Sequence, residues 1–253
     1  MLKSNPLKEA IVAGRPVFGI MNSMPSALMV EMIGYAGFDF VVIDREHVCA
    51  DLETLEHAVR AAECAGIPAL VRVPSIEEIP RALDCGAYGI IAPRVRSRAE
   101  AERVAQASRY HPRGHRGITG GRTTGFGRIP LASYVAKAND EVLVVAMIED
   151  REAVEQIDDI VSVPGIDVIL EGAIDLSQSY GVPAQANHPQ VQEAIGAMFE
   201  SCRRHGKAFC AIPREPGAVK SWLERGARMF LSGDDRGVAF RALKAHAESL
   251  KGA

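Results

Sequence analysis

Eight short segments that are apolar almost throughout alternate along the chain with longer segments of helical pattern. The apolar segments cover residues 17–21, 38–43, 69–73, 89–92, 142–148, 167–170, 208–212 and 229–231. Strands that are apolar on both faces are typical of a parallel sheet whose two faces are both covered. Because parallel strands need a crossover between them, usually a helix, the alternation predicts a series of strand–helix units.

The segments between the strands repeat apolar residues at helical spacing. Examples are Leu52, Leu55, Val59 and Ala62, then Val191, Ile195, Met198 and Cys202, and finally Phe240, Leu243, Ala247 and Leu250. Eight consecutive units predict a closed (β/α)8 TIM barrel, and the length suits one such domain over residues 1–253. An open, doubly wound sheet with fewer strands is the alternative fold.

The composition argues against several classes of function. A net charge of −3 leaves no basic footprint for nucleic acid or an anionic membrane. No apolar run approaches the roughly 20 residues of a membrane span, and the N-terminal segment lacks the apolar core of a signal peptide. The five cysteines are widely spaced without a CxxC pair, which indicates buried thiols in a reducing compartment. These features predict a cytoplasmic protein.

Charged residues stand where several of the predicted strands end, which is where such barrels hold their active sites. They are Asp44 and His47 after the second strand, Arg72 in the third, Glu149 after the fifth and Asp175 after the sixth. Neighbouring strands are about 4.8 Å apart, so Glu149 and Asp175 can reach one ion between them. Two carboxylates, completed by water and substrate, suit a hard ion such as Mg²⁺ or Mn²⁺. The alternative is that both simply favour the positive ends of helices.

Arg72 lies near the end of an otherwise apolar strand, where its guanidinium needs an anion. It is either a structural ion-pair partner or a fixed donor for a substrate carboxylate and a developing enolate oxygen. Asp44 and His47 share one loop, in which a carboxylate can orient a histidine as a general base. An ordinary hydrogen-bonded loop histidine is equally compatible with that pattern. Glu46 is a candidate third ligand or an acceptor behind the ligands.

Two loops rich in small residues offer further candidates. Gly172 and Ala173 follow the sixth strand, where free backbone N–H groups can bind a substrate carboxylate. Residues 110–129, rich in Gly and Arg, form the one long irregular stretch, and we expect it over the active-site face. The Walker pattern GxxxxGK[ST] is absent and no GxGxxG follows a strand, which argues against a nucleotide site.

At these residues the sequence resembles the HpcH/HpaI family of metal-dependent class II aldolases over essentially the whole chain. The matching motifs are Ile43-Asp44-Arg45-Glu46-His47, Val71-Arg72, the stretch from Ser108-Arg109-Tyr110 to Arg116-Gly117, Ile148-Glu149 and Asp175-Leu176-Ser177. The resemblance implies Glu149 and Asp175 as metal ligands, Arg72 as the cation that stabilises an enolate, and His47 with Asp44 in proton transfer. It also implies a 2-oxo acid that chelates the metal through its carboxylate and keto oxygens. A homo-hexamer that exchanges the terminal helix between subunits is implied as well.

The sequence departs from the usual family motifs at several positions. Family aldolases usually read IDGEH, with Gln two residues before the metal-binding Glu and Gly-Pro before the Asp. Here those positions hold Arg45, Met147 and Gly172-Ala173, and Glu171 ends the sixth strand. The segments around these positions are residues 147–150, 170–173 and 175–179. Together with residues 233–237 they resemble a branch of the family that acts as citrate synthase in siderophore pathways of the staphyloferrin B type. That branch implies condensation of oxaloacetate with acetyl-CoA.

Three functions are therefore compatible with the sequence. The first is the citrate synthase, in which Arg113, Arg116 or Arg122 either meets coenzyme A phosphates or simply faces solvent. The second is a class II aldolase acting between pyruvate and an aldehyde at the same metal site. The third is a non-catalytic barrel that serves as a binding module. The charged residues at the strand ends argue against it, because a scaffold does not need them.

Overall fold

A computed structural model describes residues 4–252 and shows eight parallel strands that close into a barrel in chain order. The strands are β1 (Val17–Asn22), β2 (Phe40–Asp44), β3 (Ala69–Arg72), β4 (Gly89–Ala92), β5 (Leu143–Ile148), β6 (Val168–Glu171), β7 (Ala208–Ala211) and β8 (Met229–Asp234). All eight predicted strands are present, and the (β/α)8 barrel is confirmed as a single domain. The open sheet is excluded. Residues 1–3 and 253 of the predicted domain limits lie outside the described residues.

Helices lie before, between and after the strands. They are α1 (Pro6–Val12), α2 (Ala27–Tyr35), α3 (Leu52–Cys64), α4 (Ile79–Asp84), α5 (Arg98–Ser108), α6 (Leu131–Glu141), α7 (Arg151–Glu155), α8 (Ile157–Val161), α9 (Ala173–Ser179), α10 (Pro189–Arg204), α11 (Ala218–Arg225) and α12 (Asp235–Lys251). Asp51, Ser97 and Asp234 fix where α3, α5 and α12 begin, because each side chain accepts a hydrogen bond from a backbone N–H of the first turn.

The pleat of the strands divides their side chains between two apolar cores. One core lies between the barrel and the helices, and the other fills the barrel interior. Phe40 and Val42 belong to the interior core, so Asp44, two residues further on, continues the same face of β2 into the mouth of the barrel. Leu70 and Arg72 stand in the same relation on β3. The pleat therefore aims Asp44 and Arg72 at the carboxyl end of the barrel.

Helix α1 covers the opposite, amino end of the barrel. Leu7 and Ala10 of this helix are buried in the core that fills the barrel interior. Asn5 caps the helix by accepting from the N–H of Leu7, and its amide donates to the carbonyl of Tyr88 at 2.9 Å. Because this end is covered, the carboxyl end is the open one.

Residues 110–129 do not cover the active-site face, so that prediction is wrong. The stretch follows α5 and precedes α6, which places it among the loops at the amino ends of the strands. Arg116 contacts Asp84, Arg122 contacts Glu63, and Arg113 contacts Asp140 at 2.7 Å. Each of the three arginines is paired with a carboxylate away from the cavity at the strand ends. Within this chain they therefore offer no coenzyme A contact at that cavity.

Helix α12 makes little contact with its own barrel. Among its described residues only Asp235 is buried, while Phe240, Leu243 and Leu250 are each about two-thirds exposed. The predicted apolar stripe is present and is uncovered in the single chain.

Two further expectations concern membranes and thiols. Within residues 4–252 no helix combines the length and apolar character that a bilayer crossing requires. All five cysteines are free thiols, with Cys202 and Cys210 buried. Cys49 and Cys64 are exposed, so the prediction of five buried thiols is wrong for these two. Cys64 lies on the solvent side of α3, and Cys49 lies in the loop before it.

Candidate active site

A cavity of about 520 Å³ opens at the carboxyl end of the barrel. Its wall contains all of the predicted site residues together with residues from β1, from β8 and from the loop after β7. The lining residues are Met21, Ser23, Asp44, His47, Arg72, Met147, Glu149, Gly172, Ala173, Ile174, Asp175, Ile212, Arg214, Leu231, Gly233, Asp234 and Arg236. Its volume suits a small organic acid together with part of a second reactant.

Arg72 and Asp44 form a two-bond fork in the wall of this cavity. They are register partners on adjacent strands, with Nε of Arg72 2.9 Å from Oδ1 of Asp44 and Nη2 2.8 Å from Oδ2. Burial alone would raise the pKa of Asp44, but the hydrogen bonds and charge of Arg72 outweigh it and hold that pKa below its ordinary value. The remaining guanidinium nitrogen, Nη1, lies 3.3 Å from Oε2 of Glu46. The fork therefore holds a permanent cation at a defined orientation.

The imidazole of His47 is not oriented by Asp44, contrary to the prediction. The carboxylate of Asp44 accepts from the backbone N–H groups of Glu46 and His47, at 3.0 and 3.4 Å. Nε2 of His47 instead lies 3.6 Å from Oε2 of Glu46, and the histidine side chain is half-exposed at the cavity wall. Asp44 is engaged with Arg72, so Glu46 is the carboxylate that faces the imidazole.

Glu149 is a buried carboxylate in the company of two others. Its burial, followed by the charge of Glu46 and, more weakly, that of Asp175, raises its pKa to about 7. Its Oε2 accepts from the backbone N–H of Arg94 at 3.0 Å. Arg94 adopts a left-handed conformation with φ of 53°, which is costly for a non-glycine residue and turns that N–H toward the carboxylate. The strained backbone at Arg94 thus provides a hydrogen bond that favours the charged form of Glu149.

Gly172 is required because Glu149 occupies the space where a side chain would stand. A Cβ at Gly172 would lie 2.4 Å from Cγ of Glu149 and 2.7 Å from its Oε1. The N–H of Gly172 donates to the carbonyl of Ile148 at 3.0 Å, so it belongs to the barrel ladder. The prediction that this N–H is free for a substrate carboxylate is wrong, whereas Ala173 remains a candidate on the cavity wall.

Asp175 completes the predicted pair of metal ligands. It lies in the first turn of α9 and lines the same cavity as Glu149. Its Oδ1 is 3.3 Å from Nη2 of Arg94, so one arginine contacts both carboxylates. Burial and the neighbouring carboxylates together raise the pKa of Glu149, and a bound cation would favour its charged form again. Two carboxylates beside an open cavity fit a hard divalent ion whose other positions go to water and substrate.

Within residues 4–252 no group of three or more His, Cys, Asp and Glu side chains is arranged to hold a metal. Glu46 lies near Arg72 and Arg94, at 3.3 and 3.9 Å, as an ion-pair partner of both arginines.

Several charged residues around the site escaped the sequence analysis. Arg94 follows β4 directly, so the same strand-end rule would have found it. Arg214 and Arg236 follow β7 and β8 and line the cavity. Glu171 and Arg45, which the sequence analysis noted as departures from the family motifs, do not line the cavity. Glu171 is buried and contacts Arg214 through both carboxylate oxygens, and Arg45 approaches Glu78 at 3.8 Å.

A closed barrel with charged side chains gathered at the carboxyl ends of its strands is the usual arrangement of TIM-barrel enzymes. The chain belongs to the HpcH/HpaI aldolase/citrate lyase family, whose pattern matches residues 20–242, and it is an enzyme of that family. The resemblance noted from the motifs is confirmed.

Within the family the chain is similar both to a citrate synthase and to aldolases. The crystal structure of citrate synthase SbnG superposes with a TM-score of 0.91 at 44% identity, over 97% of each chain. An HpcH/HpaI aldolase from Desulfitobacterium hafniense gives a TM-score of 0.89 at 33% identity, over 97% of this chain and 96% of that one. The 5-keto-4-deoxy-D-glucarate aldolase of Enterobacter sp. (strain 638) is 33% identical over 250 residues, covering 98% of this chain and 97% of its own.

Proposed function

We propose that this enzyme uses a divalent metal to make or break a carbon–carbon bond in a 2-oxo acid, and that its reaction is the condensation of oxaloacetate with acetyl-CoA to citrate. The observation that carries the proposal is the convergence of Glu149, Asp175 and the Arg72 fork on one cavity. Siderophore biosynthesis is the pathway we propose for the product, from the motifs shared with that branch of the family.

Glu149 and Asp175 would hold the metal, with Mg²⁺ or Mn²⁺ as the preferred ions. When bound, the ion would be chelated by the 2-oxo acid and would supply Lewis-acid polarisation of its keto group. Ala173, at the start of α9, borders the place for the substrate carboxylate. Arg94 balances the charge of both ligands through its N–H and its guanidinium.

Arg72 supplies the electrostatic part of the chemistry. Because Asp44 fixes two of its nitrogens, the guanidinium does not need to reorient when negative charge develops on the keto oxygen. Condensation turns that oxygen into an alkoxide, and the aldolase direction turns it into an enolate, so one cation serves both. Asp44 acts through Arg72 as a positioning residue.

His47 is the group that we propose for proton transfer. In the condensation it removes a proton from the acetyl methyl group, whose carbon then attacks the keto carbon of oxaloacetate. Hydrolysis of the thioester releases citrate and the free thiol of coenzyme A. The half-exposed imidazole lines the cavity, where Glu46 faces it at 3.6 Å and can stabilise the imidazolium.

Met147 favours the citrate synthase over the aldolase. It is buried in the cavity wall, two residues before Glu149, where family aldolases usually carry Gln. A thioether offers only a soft apolar surface in place of an amide that can hold substrate or water. The 44% identity to a citrate synthase over nearly the whole chain supports the same choice.

The deciding experiment incubates the purified protein, with Mg²⁺ or Mn²⁺, with oxaloacetate and acetyl-CoA, and measures free thiol and citrate. We expect both products in equal amounts. A parallel incubation tests cleavage of 4-hydroxy-2-oxo acids to pyruvate. Efficient cleavage without thiol release would contradict the synthase and establish the aldolase, which the 33% identical 5-keto-4-deoxy-D-glucarate aldolase favours.

We also propose a homo-hexamer in which α12 is exchanged between subunits. The support is the row of exposed apolar residues Phe240, Leu243 and Leu250 on a helix that makes little contact with its own barrel. Light scattering of the wild type and of Leu243→Glu tests this proposal. We expect a hexamer that Leu243→Glu dissociates, with Lys244→Glu on the same helix as a matched control that stays assembled. A monomeric wild type would overturn the proposal.

A further inference from the structure

Two arginines line the cavity on the side of β7 and β8, and the chemistry at Glu149, Asp175 and Arg72 does not use them. Arg214 follows β7, and Arg236 lies in the first turn of α12 after β8. The loops after strands seven and eight are where barrels of this kind frequently bind the anionic part of a ligand. Both residues are therefore candidates for recognising a substrate.

Arg214 is held rigidly. Nη1 and Nη2 donate to the two carboxylate oxygens of Glu171 at 2.8 Å each, and Nη1 also donates to the carbonyl of Ile212 at 2.9 Å. Glu171 is almost completely buried and also accepts from the N–H of Ile212. Among the described residues no hydrogen bond uses Nε of Arg214. A fixed guanidinium at the cavity wall thus keeps donor capacity for a further oxygen.

Arg236 is the less neutralised of the two. Its Nε lies 3.9 Å from Oδ1 of Asp234, and its side chain is 65% exposed. That carboxylate oxygen is already engaged, because it accepts from the N–H of Gly237 at 2.6 Å and caps α12. Arg236 is therefore a weakly paired cation that lines the same cavity as the fixed Arg214.

We propose that Arg214 and Arg236 form a subsite for a second carboxylate, carried by the reactants in addition to the 2-oxo carboxylate held near Glu149 and Asp175. This inference rests on the proposed function and adds the residues that recognise the second carboxylate of its reactants. Glu171 is a positioning residue that fixes Arg214. The phosphates of coenzyme A are a poor fit, because the whole pantetheine arm separates them from the reacting thioester.

The second carboxylate has two sources in the two enzyme reactions. In a citrate synthase it is the distal carboxylate of oxaloacetate, and in an aldolase it is a carboxylate on the aldehyde partner. Both place an anion a few bonds from the carbon that reacts, so one pair of arginines serves either source. The subsite therefore selects against reactants whose second end is a methyl or another neutral group.

Equilibrium calorimetry on the Mg²⁺-loaded protein tests the subsite without turnover. Malate and 2-hydroxybutyrate differ only by a distal carboxylate in place of a methyl group, and oxalate chelates metal without a distal group. We expect malate to bind about ten- to a hundredfold more tightly than 2-hydroxybutyrate, as charge-assisted hydrogen bonds allow. Arg236→Met should remove much of this preference and leave oxalate binding unchanged.

Arg214→Lys is the second variant, because it retains the charge but loses the fork. We expect it also to reduce the preference for malate. Arg96→Met is the matched control, since that arginine pairs with Asp150 at 2.8 Å and does not line the cavity. It should behave as wild type. Equal binding of malate and 2-hydroxybutyrate to the wild type, with oxalate bound normally, overturns oxaloacetate as the source of the second carboxylate. A wild type that binds none of the three acids overturns the proposed metal site instead.

Steady-state kinetics identify which reactant carries the second carboxylate. If the source is oxaloacetate, Arg236→Met raises the KM for oxaloacetate in the thiol-release assay by about tenfold or more. If it is the aldehyde, the same variant raises the KM for succinic semialdehyde in aldol addition to pyruvate and leaves that for butanal unchanged. Both results support the subsite. Unchanged KM values for both carboxylated substrates overturn it.

Discussion

Asp44 and Arg72 are register partners on β2 and β3, and their side chains meet in a two-bond fork inside the barrel mouth. The barrel register thus places a charged pair where the pleat would otherwise continue an apolar core. An arginine held in this way is already oriented before the substrate arrives, and charge that develops on the substrate meets a fixed cation.

Arg72→Ala should lower kcat by on the order of a hundred- to a thousandfold, because a preorganised charge at a developing oxyanion is lost. Arg72→Lys should be nearly as damaging, since an ammonium group cannot form both hydrogen bonds to Asp44. Steady-state kinetics measure both variants, and circular dichroism checks their folding. A variant that unfolds with no separable kinetic defect would show that the pair is only structural.

Glu149→Gln and Asp175→Asn should each abolish turnover and weaken Mg²⁺ or Mn²⁺ binding while leaving the barrel folded. Each change keeps the shape of the side chain but removes the charge that a hard cation requires. Metal titration by calorimetry, with activity before and after chelation, measures the effect. Asp150→Asn is the control, because Asp150 pairs with Arg96 and does not line the cavity. Full metal-dependent activity in either ligand variant would refute the assignment.

Metal binding should strengthen as the pH rises through about 7, because the pKa of Glu149 is raised to about 7 and protons compete with the cation. The stability of the metal-free protein should change in the opposite direction. The unfolded chain ionises this carboxyl near its ordinary pKa while the native state retains the proton, so stability falls between about pH 4.5 and 7. The free energy of unfolding falls by on the order of 3 kcal/mol over this range.

Urea unfolding in chelator at pH 5 and pH 8 measures this loss. Glu149→Gln is the matched variant, since its side chain has no charge to bury, and its stability should depend less on pH over that range. Equal pH dependence in the wild type and in this variant would show that Glu149 is not the group responsible.

Gly172→Ala should impair metal binding more than it impairs folding. The new methyl group would meet Cγ and Oε1 of Glu149 at 2.4 and 2.7 Å, so the carboxylate has to move. Gly196→Ala is the control, because it lies in α10 with open space around its Cβ position. It should stabilise the protein by roughly 0.5–1 kcal/mol without changing activity. Normal metal affinity in Gly172→Ala would mean that Glu149 is not confined by this glycine.

Met147→Gln should shift activity from citrate formation toward aldol cleavage, because an amide on this wall can hold substrate or water. Thiol release and pyruvate formation, measured on the same preparation, give the partition. Met147→Leu is the control, since it preserves the volume and the apolar surface, and it should leave the partition unchanged. Loss of citrate synthesis in the leucine variant as well would assign the effect to packing rather than to polarity.

The sequence by itself determined the strand–helix repeat, because apolar periodicity reports how each segment faces its surroundings. It also placed Glu149, Asp175 and Arg72 at strand ends, and closure of the barrel brings strand ends together. Only the tertiary structure decided which charged side chains pair with one another. Asp44 pairs with Arg72 rather than with the imidazole of His47 because the register of β2 and β3 sets them side by side.

The tertiary structure also decided which arginines belong to the cavity. Residues 110–129 are rich in arginine, yet they lie at the amino ends of the strands because they follow α5 rather than β4. Arg94, Arg214 and Arg236 are far apart in sequence and meet at the site only because each follows a strand of a closed barrel. Local pattern reports burial along the chain, whereas contacts between distant strands depend on closure and register, which the local pattern does not contain.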